Sequence, residues 1–145
     1  MTASRREDVL AALTTTLAGT ADVDSRIYRS RVEAFARDEA PALVIEPGTD
    51  RAAISTTCKI DWTLEVIVAV YTRGNVPDTL ADPIIVDVHS KLMADRTLNG
   101  LAMDIIPLAV DPQRDKADLT SLWTVLTYQV RYRTFVTDLT NTPGS

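Results

Sequence analysis

SLWTVLTYQVRYRTFVTDL, residues 121–139, reads as one unbroken strand. Leu126, Tyr128, Val130 and Tyr132 alternate with Thr127, Gln129, Arg131 and Arg133, so one side is apolar and the other polar and cationic. Strands rise about 3.3 Å per residue, so Ser121 to Thr137 would span about 55 Å if straight. A compact chain of 145 residues has a diameter of roughly 38 Å. Either the strand bends, or part of it leaves the globule and finds another surface.

The rest of the chain supplies partners for it. Ser4-Arg5-Arg6-Glu7 has capping-box spacing, and Val9, Leu10, Leu13 and Leu17 recur at helical intervals up to Gly19. Arg26 to Val32 is an expected short strand, Glu33 to Glu39 a short helical turn, and Ala42 to Ile45 a strand closed at Pro47-Gly48. A long β region follows, from Arg51 to Ile60 and from Trp62 to Thr72. In its second half Trp62, Leu64, Val66, Val68 and Val70 face one way; Thr63, Glu65, Ile67, Ala69 and Tyr71 face the other, a mixed face that implies partial cover. Asp82 and Pro83 are the expected start of a second helix, with Ile84, Ile85, Val88, Leu92 and Met93 as its buried stripe. Asn99-Gly100 makes a turn, Ala102 to Val110 an edge strand broken by Pro107, and Asp111 to Asp118 a polar loop. Consecutive strands and few helices predict an α+β fold: a mainly antiparallel sheet, two helices packed on one face, and long strands extending as an arm. The length suits one domain over residues 1–145.

Composition narrows the function. A net charge of −5 opposes broad electrostatic binding to nucleic acid, though DNA could pass such a surface without being gripped. No apolar run approaches the ~20 residues of a membrane span, and the opening MTASRREDVLAAL lacks a signal-peptide core, which points to the cytoplasm. Cys58 is the only cysteine; between Thr57 and Lys59 it reads as a small strand residue, and no disulfide or cysteine-rich zinc site is expected. His89 lies on the second helix with no orienting partner in view. Asp111, Asp115 and Asp118 lack the glycine and alternation of a calcium loop, and Asp82, Asp87 and Asp95 fall on different sides of their helix. Phosphate-loop, dinucleotide and nucleophile-elbow motifs are absent, so neither an enzyme nor a cofactor is expected. The arginines are more telling. Arg29 and Arg31 share an early strand, and Arg131 and Arg133 one face of the last strand. Aligned guanidinium groups on an acidic chain suit contact with the carboxylates of a second copy.

The run WTLEVIVAVYTRGNVPDTLADPIIVDVHSKLMADRTLNGLAMDIIPL resembles phage tail terminator proteins, also called tail completion or minor tail protein U-like proteins. RIYRSRVEAFARDEAPALVIEPG and the closing YQVRYRTFVTDL fit the same family, in order along nearly the whole chain. The family carries two glycines where this chain has Asn99-Gly100; asparagine tolerates left-handed backbone, so the turn survives the change. The resemblance implies a structural protein at the tail–head junction of a virion, assembled in the host cytoplasm. It would form a homo-oligomeric ring, typically a hexamer, that caps the tail tube, ends its polymerisation and offers a surface to the head–tail connector, while DNA passes through without specific binding. It assigns no contacts to residues. The strand reading supplies those: Arg29, Arg31, Tyr71, Arg73, Arg131 and Arg133 are the expected subunit or tube interface. Alternatives are another neck or tail-tube component of the same virion, or a small-molecule-binding domain using His89 or Cys58.

Overall fold

The computed structural model describes residues 3–31, 35–114 and 120–141. Helix α1 spans Arg5–Leu17. The Ser4 hydroxyl accepts from the Glu7 N–H at 3.1 Å, satisfying one of the first-turn donors. The Glu7 carboxylate turns to Arg29 rather than back to the cap. Gly19, at φ +77°, takes the left-handed backbone that ends the helix without a Cβ clash. Strand β1 is short, Ile27–Arg29, because the chain turns away at Ser30, whose φ is +49°. Of the expected turn at Glu33–Glu39, a 3-10 turn over Arg37–Glu39 is present; Val32, Glu33 and Ala34 lie outside the described residues.

Strands β2, Ala42–Thr56, and β3, Lys59–Arg73, form one long hairpin. Its turn is Thr57-Cys58, so Cys58 is an exposed turn residue and not a strand residue. Pro47-Gly48 does not close the strand. The register shifts between Pro47 and Asp50 and pairing resumes. Beyond Ile45 no β1 residue flanks β2, so an outward proline lacks no ladder partner. A Cβ on Gly48 would stand 3.1 Å from the Glu65 Cβ and 3.2 Å from its carbonyl oxygen, which explains a glycine at this close approach.

Helix α2 runs Pro77–Ala94, six residues earlier than the expected start at Pro83. Pro77 takes the first position, where no N–H is needed. Pro83 is inside the helix on its solvent side. Ala81, Ile84, Val88 and Leu92 are buried; Ile85 and Met93 pack partly. Strand β4, Asp104–Arg114, is the edge strand expected at Pro107, with a bulge between Pro107 and Ala109. It continues through Asp111–Arg114, residues expected in a loop; Asp115 and Asp118 lie outside the described residues.

Strand β5, Ser121–Phe135, pairs with β3 along its whole length and with β4 from Leu122 to Arg131. Alternate residues from Leu122 to Thr134 are buried, and the chain turns at once into a bridge between Phe135 and Asp138. No part of β5 leaves the sheet. The length mismatch is resolved differently: β2, β3 and β5 each have 15 residues, so the sheet itself is elongated. The exposed extension is the hairpin, whose residues Arg51–Cys58 are all exposed.

The sheet order is β1-β2-β3-β5-β4, parallel only between β1 and β2. The fold is α+β, with both helices on one face. Leu10, Leu13, Leu43, Ile45, Leu64, Ile84, Ile105 and Leu126 form the centre of the core between them and the sheet.

Candidate assembly interface

The face of the sheet away from the helices carries Thr63 to Arg73 of β3 in alternation, beside Ser121 to Arg133 of β5. One end of it is covered. Phe35 stacks on Tyr71 at 5.1 Å and 17°, and lies 5.5 Å from Tyr28 and 5.6 Å from Trp123. Tyr71 also meets Trp123 at 4.9 Å. The Arg31 guanidinium sits 4.1 Å from the Phe35 centroid and 4.6 Å from that of Tyr28, a cation over two rings. Glu39 fixes it from the side through a two-point ion pair, the shorter contact 2.8 Å.

The six expected interface residues fall into three places. Arg31, Tyr71 and Arg73 gather at the aromatic end, where Arg73 Nη1 donates to the Tyr71 hydroxyl at 3.2 Å. Tyr71 itself is buried. Arg131 and Arg133 stand opposite Thr63 and Asp61, about 26 and about 33 Å along the strands from Tyr71. Arg29 lies on the helix side and pairs with Glu7 at 2.8 and 3.2 Å. Sequence reasoning aligned these side chains by strand parity; it had no means of finding their carboxylate partners, which come from 8 to 72 residues away.

Those partners set the electrostatics. Arg133 grips Asp61 through Nε and Nη2 and holds its carboxyl below the usual range, with Arg131 adding a weaker pull. Arg29 does the same for Glu7 and Arg31 for Glu39. Arg131 is different. Its side chain makes no hydrogen bond or ion pair among the described residues, and it is partly exposed on the open face. A cation in that position is available to a carboxylate from outside the chain.

A second cluster escaped the sequence reading. At the turn end of the sheet, Trp62 and Tyr132 stack at 6.2 Å and 12°. Trp62 Nε1 donates to Thr134 Oγ1 at 2.9 Å, and the Tyr132 hydroxyl donates to Asp50 Oδ2 at 2.5 Å. Asp50 Oδ1 is buried without a partner among the described residues. Burial pushes the Asp50 carboxyl up, against the Tyr132 hydrogen bond and the nearby Arg6; burial and the same carboxylate push the Tyr132 hydroxyl far up. With Ser4, Arg6 and Leu139 these residues line a cavity of about 340 Å³. The available signal was that buried Trp and Tyr need polar partners at their tips.

His89 Nδ1 lies 3.1 Å from the hydroxyl of Tyr128, whose own proton loss is disfavoured by burial; no acid or nucleophile joins them among their described contacts. Asp87 accepts from the Ala21 N–H and pairs with Lys91, and Asp95 caps the turn at Thr97–Asn99. Among the described residues no three His, Cys, Asp or Glu side chains could hold a metal ion, and no helix is long and apolar enough to cross a membrane.

No protein-family model matches the sequence, and no curated protein matches it. Solved structures do. A chain from the virion of a native gene transfer agent particle superposes with a TM-score of 0.56 at 11% identity, over 85% of this chain and 92% of that one. The two chains share a fold. At that identity the likeness is one of architecture.

Proposed function

We propose that the chain is a structural protein of a phage-type virion and, within it, a tail terminator. It would form a ring, a hexamer by the family's habit, that caps the tail tube, stops tube growth and presents a surface to the head–tail connector. The observation that carries the reading is the fold shared with a virion chain over most of both lengths, joined to the sequence resemblance along the same span. The acidic net charge suits a passage for DNA that does not hold it. We read residues 1–145 as one domain of this kind, acting without catalysis or a bound cofactor.

The interface reading divides the six residues by availability. Arg131, on the half-exposed end of the open face, would meet a carboxylate of a neighbouring copy or of the tube, with Arg133, held by Asp61, bordering that contact. Arg31, Tyr71 and Arg73 would present the rim of the aromatic end, and Arg29 would orient α1 through Glu7. A second reading has the same support from the fold: the matched chain is described by its particle and not by its place within it, which suits another neck or tail-tube component equally.

Deleting the gene from its particle tests both. A terminator's loss yields tails of uncontrolled length and heads left unjoined. Missing tubes or an absent neck with normal tail length would favour the second reading. Normal virions would overturn the proposal.

A further inference from the structure

We infer that the turn end of the β2–β3 hairpin of one copy seats in the groove between α2 and β4 of the next, with Ile54 as the inserted side chain. The inference rests on the ring reading and supplies its contact. Ile54 is 73% exposed, the most exposed large apolar side chain among the described residues. It projects from the helix-side face of the hairpin, opposite Ile60, where no element of its own chain covers it. An isolated side chain would need no explanation, but a matching surface exists elsewhere on the molecule.

That surface is a groove of about 370 Å³ lined by Ile85, His89, Leu108, Val110, Leu126 and Tyr128. Leu108 and Val110 are 48% and 61% exposed. His89 Nδ1 and the Tyr128 hydroxyl, two polar atoms on groove-lining side chains, already hydrogen-bond each other, so an entering isoleucine does not leave that pair without a partner. The neighbouring β4 edge does not invite strand addition: it carries Pro107, Pro112 and a bulge, the features that blunt an edge. A side-chain groove is the remaining acceptor on that flank.

Hairpin and groove lie on opposite flanks of the sheet. One copy cannot fill its own groove, and two copies meeting through these surfaces use different patches, so the contact is heterologous, the kind that builds a ring when its rotation closes. The hairpin end is cationic at its edge: Lys59 adjoins the turn and Arg51 stands opposite Thr63, both on the face away from Ile54. Asp78 and Asp82 are exposed on the same side of α2 as Ile85 and His89, at spacings of four, three and four, where carboxylates could meet those cations around the rim of the contact. Asp87 faces the other way, toward Ala21 and Lys91. Arg114, at the end of β4, is the opposing charge on the groove flank.

The sole cysteine, Cys58, sits exposed in the hairpin turn and is a built-in reporter. Full-length protein with Cys58 alone is mixed with the Leu108→Cys, Cys58→Ser double variant and treated with a short bismaleimide. The expected result is a covalent dimer in the mixture and none in either protein by itself, with Ile54→Asp in the first protein reducing the yield at least tenfold. Ala109→Cys serves in place of Leu108→Cys if that change disturbs the groove, and circular dichroism confirms each fold. Three results overturn the inference: cross-linking of the Cys58 protein with itself in place of the mixed product, no mixed product where light scattering shows an oligomer, or a monomer at the highest soluble concentration. The terminator reading fails separately, through normal virions after deletion.

Discussion

Tyr132→Phe isolates one hydrogen bond in a half-buried cluster. The phenyl ring keeps its stacking on Trp62 and its place in the core, so no apolar burial is lost. What goes is the O–H that donates to Asp50 Oδ2. Oδ1 already lacks a partner among the described residues, so the carboxylate is left with no hydrogen bond from them. Losing a hydrogen bond to a charged group costs about 1.5–3 kcal/mol; for a chain of this size that lowers Tm by about 3–12 °C. The pH dependence sharpens the test. Burial already places the folded-state pKa of Asp50 above its unfolded value near 3.8. A group raised in this way favours folding below that value and loses the contribution as pH rises through the folded pKa. The Tyr132 hydroxyl is one of the groups holding that pKa down, so its removal raises it further. The stability loss is therefore largest near neutral pH and shrinks toward about pH 4. Urea unfolding of both proteins at the two pH values measures this. A loss below about 0.5 kcal/mol at neutral pH, or the same loss at both, would refute the reasoning. Asp50→Asn, which keeps an acceptor and removes the charge, should stay within about 1 kcal/mol of the parent at neutral pH.

Leu64→Ala, at a fully buried position, should cost about 2–5 kcal/mol in denaturant unfolding, since the hairpin cannot collapse onto the cavity. Pro83→Ala should stabilise by about 1–2 kcal/mol by restoring an interior helix N–H, less than the full propensity gap because the unfolded chain gains freedom; an unchanged or lower melting point counts against the geometry. Arg131→Glu should leave the thermal melt of the isolated protein nearly unchanged and abolish incorporation into particles, measured by complementation; normal incorporation removes Arg131 from the interface.

Much of the local structure was legible from short-range pattern. The alternation in Trp62–Val70 and Leu126–Tyr132 identified which side of each strand is buried, because neighbouring residues on a pleated strand must point apart. Ser4 and the apolar stripe of α1 announced that helix for a similar reason. The hairpin turn at Thr57-Cys58 had no glycine, asparagine or aspartate to mark it, whereas Pro47-Gly48 and Asp82-Pro83 carried strong punctuation and proved to be a bulge and a helix interior. In each case pairing with a distant strand, or burial of a helix face, outweighed the local preference.

The sequence by itself determined the fold class, the buried faces of β3 and β5 and the first helix, since periodicity and capping act within a few residues; the hairpin turn, the start of α2 and the end of β4 it misplaced. Only the tertiary structure decided that β5 stays between β3 and β4 while the hairpin is exposed, that Phe35 covers Tyr71, and that Arg29, Arg31 and Arg133 are tied to carboxylates whereas Arg131 makes no ion pair among the described residues. Those outcomes depend on which segments meet in space, and strand pairing across tens of residues carries no short-range signature.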